Sequence, residues 1–165
     1  MITEKIDGTN ACIHITDEGE FLIGSRTRYI TPKEDNYGFA RWATEHKEEL
    51  LLLGPGRHYG EWWGSGCQRG YGFEKGIKHF SLFNVGRWKD AELPPCVRLV
   101  PVLYEGPFSS DIVDATIEDL RTNGSKAAPG FMKPEGIIIY HAAARSLFKV
   151  TLEKDEAPKS QHEEV

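Results

Sequence analysis

The stretch Thr3-Glu4-Lys5-Ile6-Asp7-Gly8-Thr9-Asn10 constrains this chain more than any other. Asp-Gly marks a turn. Apolar alternation begins directly after it, with Ala11, Ile13 and Ile15 set against Cys12, His14 and Thr16, the pattern of a half-buried strand. Lys5 therefore sits where one strand ends in a tight turn and the next begins, which is a place for a positioned amine. The strands Ile2 to Lys5 and Ala11 to Thr16, with Phe21 to Ser25 after the Asp17-Glu18-Gly19 turn, read as an antiparallel meander.

Beyond a loop from Thr31 to Asn36, helical spacing links Phe39, Trp42, Ala43, His46, Leu50 and Leu53, and Gly54-Pro55-Gly56 ends it. The four leucines at its end are expected to be mostly buried. Arg57 to Gly64, His79 to Val85, Val97 to Tyr104, Gly136 to Tyr140 and Leu147 to Leu152 read as strands. Ser110 is expected to cap a helix carrying Ile112, Val113, Ile117 and Leu120 on one side. Mostly antiparallel strands flanked by a few helices make an α+β fold. We expect one domain over residues 1–152 and a polar, acidic tail over 153–165.

A length of 165 residues suits one domain with a real core. No apolar run approaches the roughly 20 residues that cross a bilayer, so no membrane is expected. The three cysteines, Cys12, Cys67 and Cys96, are odd in number and lack metal-ligand spacing, which fits a reducing cytosol. The six histidines show no ligand spacing either. The net charge of −5 counts mildly against a polynucleotide ligand, yet it averages over patches: acid gathers at Asp111 to Asp119 and in the tail, base between Arg57 and Lys89. Single cations such as Arg69, Lys75, Lys78, Arg87 and Lys89 read first as solvated charge.

Ser25-Arg26-Thr27, Tyr59-Gly60-Glu61, Phe80-Ser81-Leu82-Phe83-Asn84-Val85, Pro134-Glu135-Gly136-Ile137-Ile138 and Leu147-Phe148-Lys149-Val150 follow Lys5-Ile6-Asp7-Gly8 in the order of the signatures of the covalent nucleotidyltransferases. The set resembles the ATP-dependent RNA ligases, and Glu4 to Asn10 most resembles the second type of phage RNA ligase and the RNA-editing ligases. The resemblance implies the nucleotidyltransferase fold, ATP and a magnesium or manganese ion, and a bacterial or phage-infected cytoplasm. It further implies that Lys5 takes AMP from ATP, passes it to an RNA 5′-phosphate, and that a 3′-hydroxyl then displaces it.

By the same resemblance, Lys5, Glu135 and Lys149 are catalytic and Glu135 holds the metal. The implied nucleotide-binding set is Glu4, Ile6, Asn10, Arg26, Glu61, Phe83 and Ile137. Free lysine has a pKa of about 10.4, so roughly one in 2,500 is neutral at pH 7, and the site must favour the amine; Lys149 and Arg26 are the nearby cations for this. Glu61 accepts from the ribose hydroxyls, as an ionised carboxylate suits. Phe83, with Phe80 the alternative, stacks on adenine, and Ile137 or Ile138 lies on the other side. Glu4 reads the adenine amino group, which a carboxylate accepts from, whereas guanine O6 offers it no proton. Arg26 and Asn10 contact the AMP phosphate and the strand ends through forked or amide donors.

The family's last motif carries two lysines one residue apart. Here Lys149 stands between Leu147 and Thr151, with Arg145, Lys154 or Lys159 as substitutes. The expected chain lacks an upstream segment and a second domain, so a partner protein is expected to supply an RNA-binding domain. A minimal DNA ligase, a capping-type guanylyltransferase and a binding module without turnover are the alternatives.

Overall fold

The computed structural model describes residues 1–153, so the tail and its Lys154 and Lys159 lie outside the described residues. The strands are β1 (Ile2–Lys5), β2 (Thr9–Ile15), β3 (Phe21–Gly24), β4 (Gly56–Gly64), β5 (Lys78–Leu82), β6 (Val97–Leu99), β7 (Val102–Tyr104), β8 (Gly136–His141) and β9 (Ser146–Thr151). They form a four-stranded sheet in the order β7-β1-β8-β9 and a five-stranded sheet in the order β3-β2-β4-β5-β6. Every pairing is antiparallel except β5 with β6. The expected α+β architecture is what the chain adopts. It falls into two compact units, one of Met1–Ile6 with the chain from Pro101 onward, the other Asp7–Val100.

The meander reading fails at its first step. β1 does not pair with β2; it lies between β7 and β8, with Ile2 opposite Ile139 and Lys5 opposite Gly136. The Asp7-Gly8 turn is thus a passage between sheets, not a hairpin. Both edges of β1 are already occupied, so β2 begins a new ladder, pairing with β3 and β4. Val97 to Tyr104 divides for a related reason. Val100 still donates its N–H to Leu82 of one sheet (3.1 Å), whereas the Pro101 carbonyl accepts from Glu4 of the other (3.0 Å). Proline has no N–H with which to continue the first ladder.

In the smaller unit, α4 (Ser110–Asn123) lays Ile112, Val113, Ile117 and Leu120 against Ile2, Ile137 and Ile139. Its cap is Ser109 rather than Ser110: the Ser109 Oγ accepts from the Ile112 N–H at 3.2 Å. In the other unit, the expected single helix breaks at His46 into α1 (Phe39–Glu45) and α2 (Lys47–Leu50), followed by a 3₁₀ turn, Leu51–Leu53. Leu50 and Leu53 are buried, but Leu52 is 74% exposed, because a tighter turn cannot keep four successive side chains on one face. Phe39 packs among Trp42, Trp62 and Phe80, with ring centroids 5.2–5.8 Å apart. The strand expected over His79 to Val85 stops at Leu82, since the Asn84 side chain caps the short helix α3 (Val85–Trp88) by accepting from the Arg87 N–H.

Two histidines, the buried His58 and the half-buried His79, each enclose a ring nitrogen lacking a hydrogen-bond partner among the described residues, Nδ1 and Nε2 respectively. Burial pushes both below the ordinary value of 6.5, more than the His58–Gly54 hydrogen bond raises the former. A lowered folded-state value means that the unfolded chain takes up protons first. Stability is then full above about pH 6.5 and falls as pH drops below it. Melting at about pH 5.5 is expected below that at about pH 7.5. A His58→Gln, His79→Gln double variant should flatten this dependence.

Candidate active site

Period-2 alternation and strand register together fix which side chains share a face. In the four-stranded sheet, Thr3 and Lys5 of β1 stand opposite Ile138 and Gly136 of β8, which stand opposite Lys149 and Thr151 of β9. Lys5, Ile138 and Lys149 therefore lie on one face. The other face carries Ile2, Glu4, Ile137 and Ile139 against α4. The Lys5 ammonium forms an ion pair with the Glu135 carboxylate, both side chains about one-fifth exposed. Glu135 is fixed from its backbone, its carbonyl accepting from Leu152 at 2.9 Å. Gly136, opposite Lys5, has no substitute: a Cβ there would strike the Val150 carbonyl and the Thr151 backbone. Lys149 is exposed, two residues along the sheet and two strands across from Lys5.

The same alternation corrects two expectations. Ile137 is fully buried beneath α4, so the β8 residue on the Lys5 face is Ile138. Glu4 is 1% exposed, on the far side of the strand from Lys5. Its Oε1 accepts from the Ser125 hydroxyl at 2.6 Å, and its Oε2 from the N–H groups of Lys126 and Ala127 at 2.8 and 2.9 Å. In this geometry Glu4 holds the loop after α4 and not an adenine amino group. Ile6 is also buried, which leaves its main chain as the part available to a ligand.

In the five-stranded sheet, Asn10 of β2 faces Glu61 of β4, and Glu61 faces Ser81 of β5. Phe83 follows β5, its N–H donating to the Tyr59 carbonyl at 3.0 Å, and its side chain is half-buried. Phe80 is wholly buried in the core and drops out as the alternative stacking ring. Arg26 is exposed in the turn after β3, which the Ser25 N–H closes on the Arg28 carbonyl at 2.8 Å. Arg145 has the exposed, left-handed backbone of a hairpin turn, φ 48°.

Sequence reasoning missed what fixes the turn after Lys5. The Asp7 N–H donates to the Tyr71 hydroxyl (2.7 Å), the Asp7 carboxylate pairs with the Arg69 Nε (2.9 Å), and the Gly8 N–H donates to the Glu61 carboxylate (3.0 Å). Gly8 is required, because a Cβ would collide with the Trp62 carbonyl and Trp63. Partners 53 to 121 residues away leave no local signal, so neither spacing nor periodicity marks Arg69, Tyr71 or, for Glu4, Ser125. The three thiols are raised chiefly by burial, Cys67 and Cys96 to about 11, which makes them poor nucleophiles. Among the described residues no helix is long and apolar enough to cross a membrane.

Two mostly antiparallel sheets with a few helices make the nucleotidyltransferase fold that the solved relatives share. The chain belongs to the RNA ligase family, whose pattern it matches over residues 1–151. No curated protein matches it. Among solved structures, Naegleria gruberi RNA ligase shares the fold. One lysine-to-alanine variant, with ATP and Mn, aligns at 17% identity and a TM-score of 0.61 over 91% of this chain and 48% of that one. A second such variant, also with ATP and Mn, gives 18%, 0.62, 95% and 51%. The same ligase with PPi gives 18%, 0.61, 91% and 48%. The chain spans about half the length of these structures.

Proposed function

We propose that this chain carries the adenylyltransferase chemistry of an ATP-dependent RNA ligase, with Lys5 as the nucleophile. The observation that carries the reading is the ion pair of Lys5 with Glu135, with Lys149 on the same sheet face. The Lys5 Nζ attacks the α-phosphorus of ATP, the bond to the bridging oxygen breaks, pyrophosphate leaves and the amine loses a proton. AMP then passes to the 5′-phosphate of an RNA end, and a 3′-hydroxyl displaces it to form the phosphodiester.

Among the described residues no three acidic, histidine or cysteine side chains converge as a metal cage. One carboxylate, Glu135, partly exposed beside the nucleophile, suits a magnesium or manganese ion that arrives with the triphosphate, since such ions take one or two carboxylates and complete their shell with phosphate and water. Glu135 would hold it, and the ion would offset phosphate charge. Glu135 also holds the Lys5 amine at the end of β1. Lys149 sets a cation on the same face for phosphate oxygens. Asn10 and Arg26 supply donors for phosphate, Glu61 accepts from ribose hydroxyls, and Phe83 stacks on the base, worth about 1–3 kcal/mol. In this reading a partner protein that holds the RNA ends adds to the reaction without entering the first step.

Incubating the full chain with α-labelled ATP and magnesium should leave label on the protein, and added pyrophosphate should remove it. Lys5→Ala should take none. Unlabelled but folded wild-type protein, or label undiminished in Lys5→Ala, would sink the reading.

A further inference from the structure

The five-stranded sheet has a second feature on the side that carries Asn10 and Glu61. His14 stands opposite Arg57, and Cys12 opposite Tyr59, so His14, Arg57 and Tyr59 occupy one face. Tyr29, after the turn that carries Arg26, joins them. Its hydroxyl meets His14 Nδ1 at 2.9 Å, the two rings lie 14° from parallel, and the Arg57 guanidinium faces the same hydroxyl. Tyr29 is 51% and Tyr59 54% exposed. Glu61 is the one carboxylate that the strands put on this face, among the described residues. Single exposed aromatics need no explanation. Two open tyrosines, one held in plane by a histidine and an arginine, form instead an ordered π-surface beside a cation.

We propose that this surface binds single-stranded RNA, with the tyrosines stacking on bases and Arg57 meeting the backbone phosphate; the choice of RNA rests on the ligase reading above. Unstacked bases offer their faces to such rings, whereas a duplex hides them. The tyrosine platform is already ordered by its own hydrogen bonds, so little side-chain freedom is lost on binding. The position fits a strand delivered to the nucleotide chemistry, because Tyr59 is the backbone partner of Phe83. An acidic protein partner would use Arg57 but gain little from the rings.

The test is fluorescence anisotropy of the full chain with a labelled single-stranded oligoribonucleotide over a salt series, run alongside the α-labelled ATP assay. A Tyr29→Ala, Tyr59→Ala double variant should bind about 10- to 100-fold more weakly, and the corresponding double phenylalanine variant, which keeps the rings and loses only the hydroxyl contacts that order Tyr29, should bind much nearer to wild type than to the alanine variant. Arg57→Ala should lower the slope of log affinity against log salt by about 0.7. Lys5 labelling should be unchanged in all three.

Unchanged RNA affinity in the double alanine variant would overturn the proposal, as would loss in the phenylalanine variant equal to that in alanine. So would equal weakening for duplex RNA, no RNA binding by wild type, or labelling that falls together with RNA binding. If the RNA results hold while wild type takes no label, the surface stands and the Lys5 reading falls.

Discussion

Lys5→Arg is expected to lose self-labelling by about 10³-fold or more while the protein melts nearly where wild type does. Arginine keeps the positive charge and can still pair with Glu135, the contact that holds Lys5 at the end of β1. A guanidinium, however, is protonated at any working pH and its lone pairs are delocalised, so it is no nucleophile. The variant therefore separates the electrostatic part of Lys5 from its chemical part. The melting temperature reads the first and α-labelled ATP reads the second. Retained labelling in Lys5→Arg would mean that another residue accepts AMP.

The second large effect is on stability. Glu4→Ala is expected to destabilise the chain by about 3 kcal/mol or more, measured by urea denaturation, because the Ser125 hydroxyl and the Lys126 and Ala127 N–H groups lose their common acceptor. Ser125 also accepts from the Ala128 N–H, so the loss spreads through the loop. Glu4→Gln keeps the volume but turns an NH₂ toward donors, and about 1–3 kcal/mol is expected. A Glu4→Gln protein of wild-type stability that takes label from GTP as readily as from ATP would return Glu4 to the role of base reader.

The order of the strands' residues was readable because local patterns encode it. Ala11, Ile13 and Ile15 do line the buried side of β2, and Ile112, Val113, Ile117 and Leu120 do line α4. Lys5 was readable as a strand end before an Asp7-Gly8 turn for the same reason: that signature occupies a few adjacent residues. Turns read as strand were the failures, at Asn84 and at Val100-Pro101, where one capping side chain or one missing N–H ends a ladder.

Which strand pairs with which was not readable, and that decided the site. Alternation shows that Glu4 and Lys5 point to opposite sides of β1, but not which side is covered. α4 covers one side, and so buries Glu4 and Ile137 while leaving Lys5, Ile138 and Lys149 open. The sequence alone determined the lysine, its turn and the α+β class, since these depend on neighbours within a few residues. Only the tertiary structure decided that Asp7-Gly8 leads from one sheet to another, that Glu135 meets Lys5 and Ser125 meets Glu4, and that Arg69, Tyr71 and Glu61 hold the turn. Those contacts join residues 53 to 130 positions apart, a distance over which local propensity carries no information.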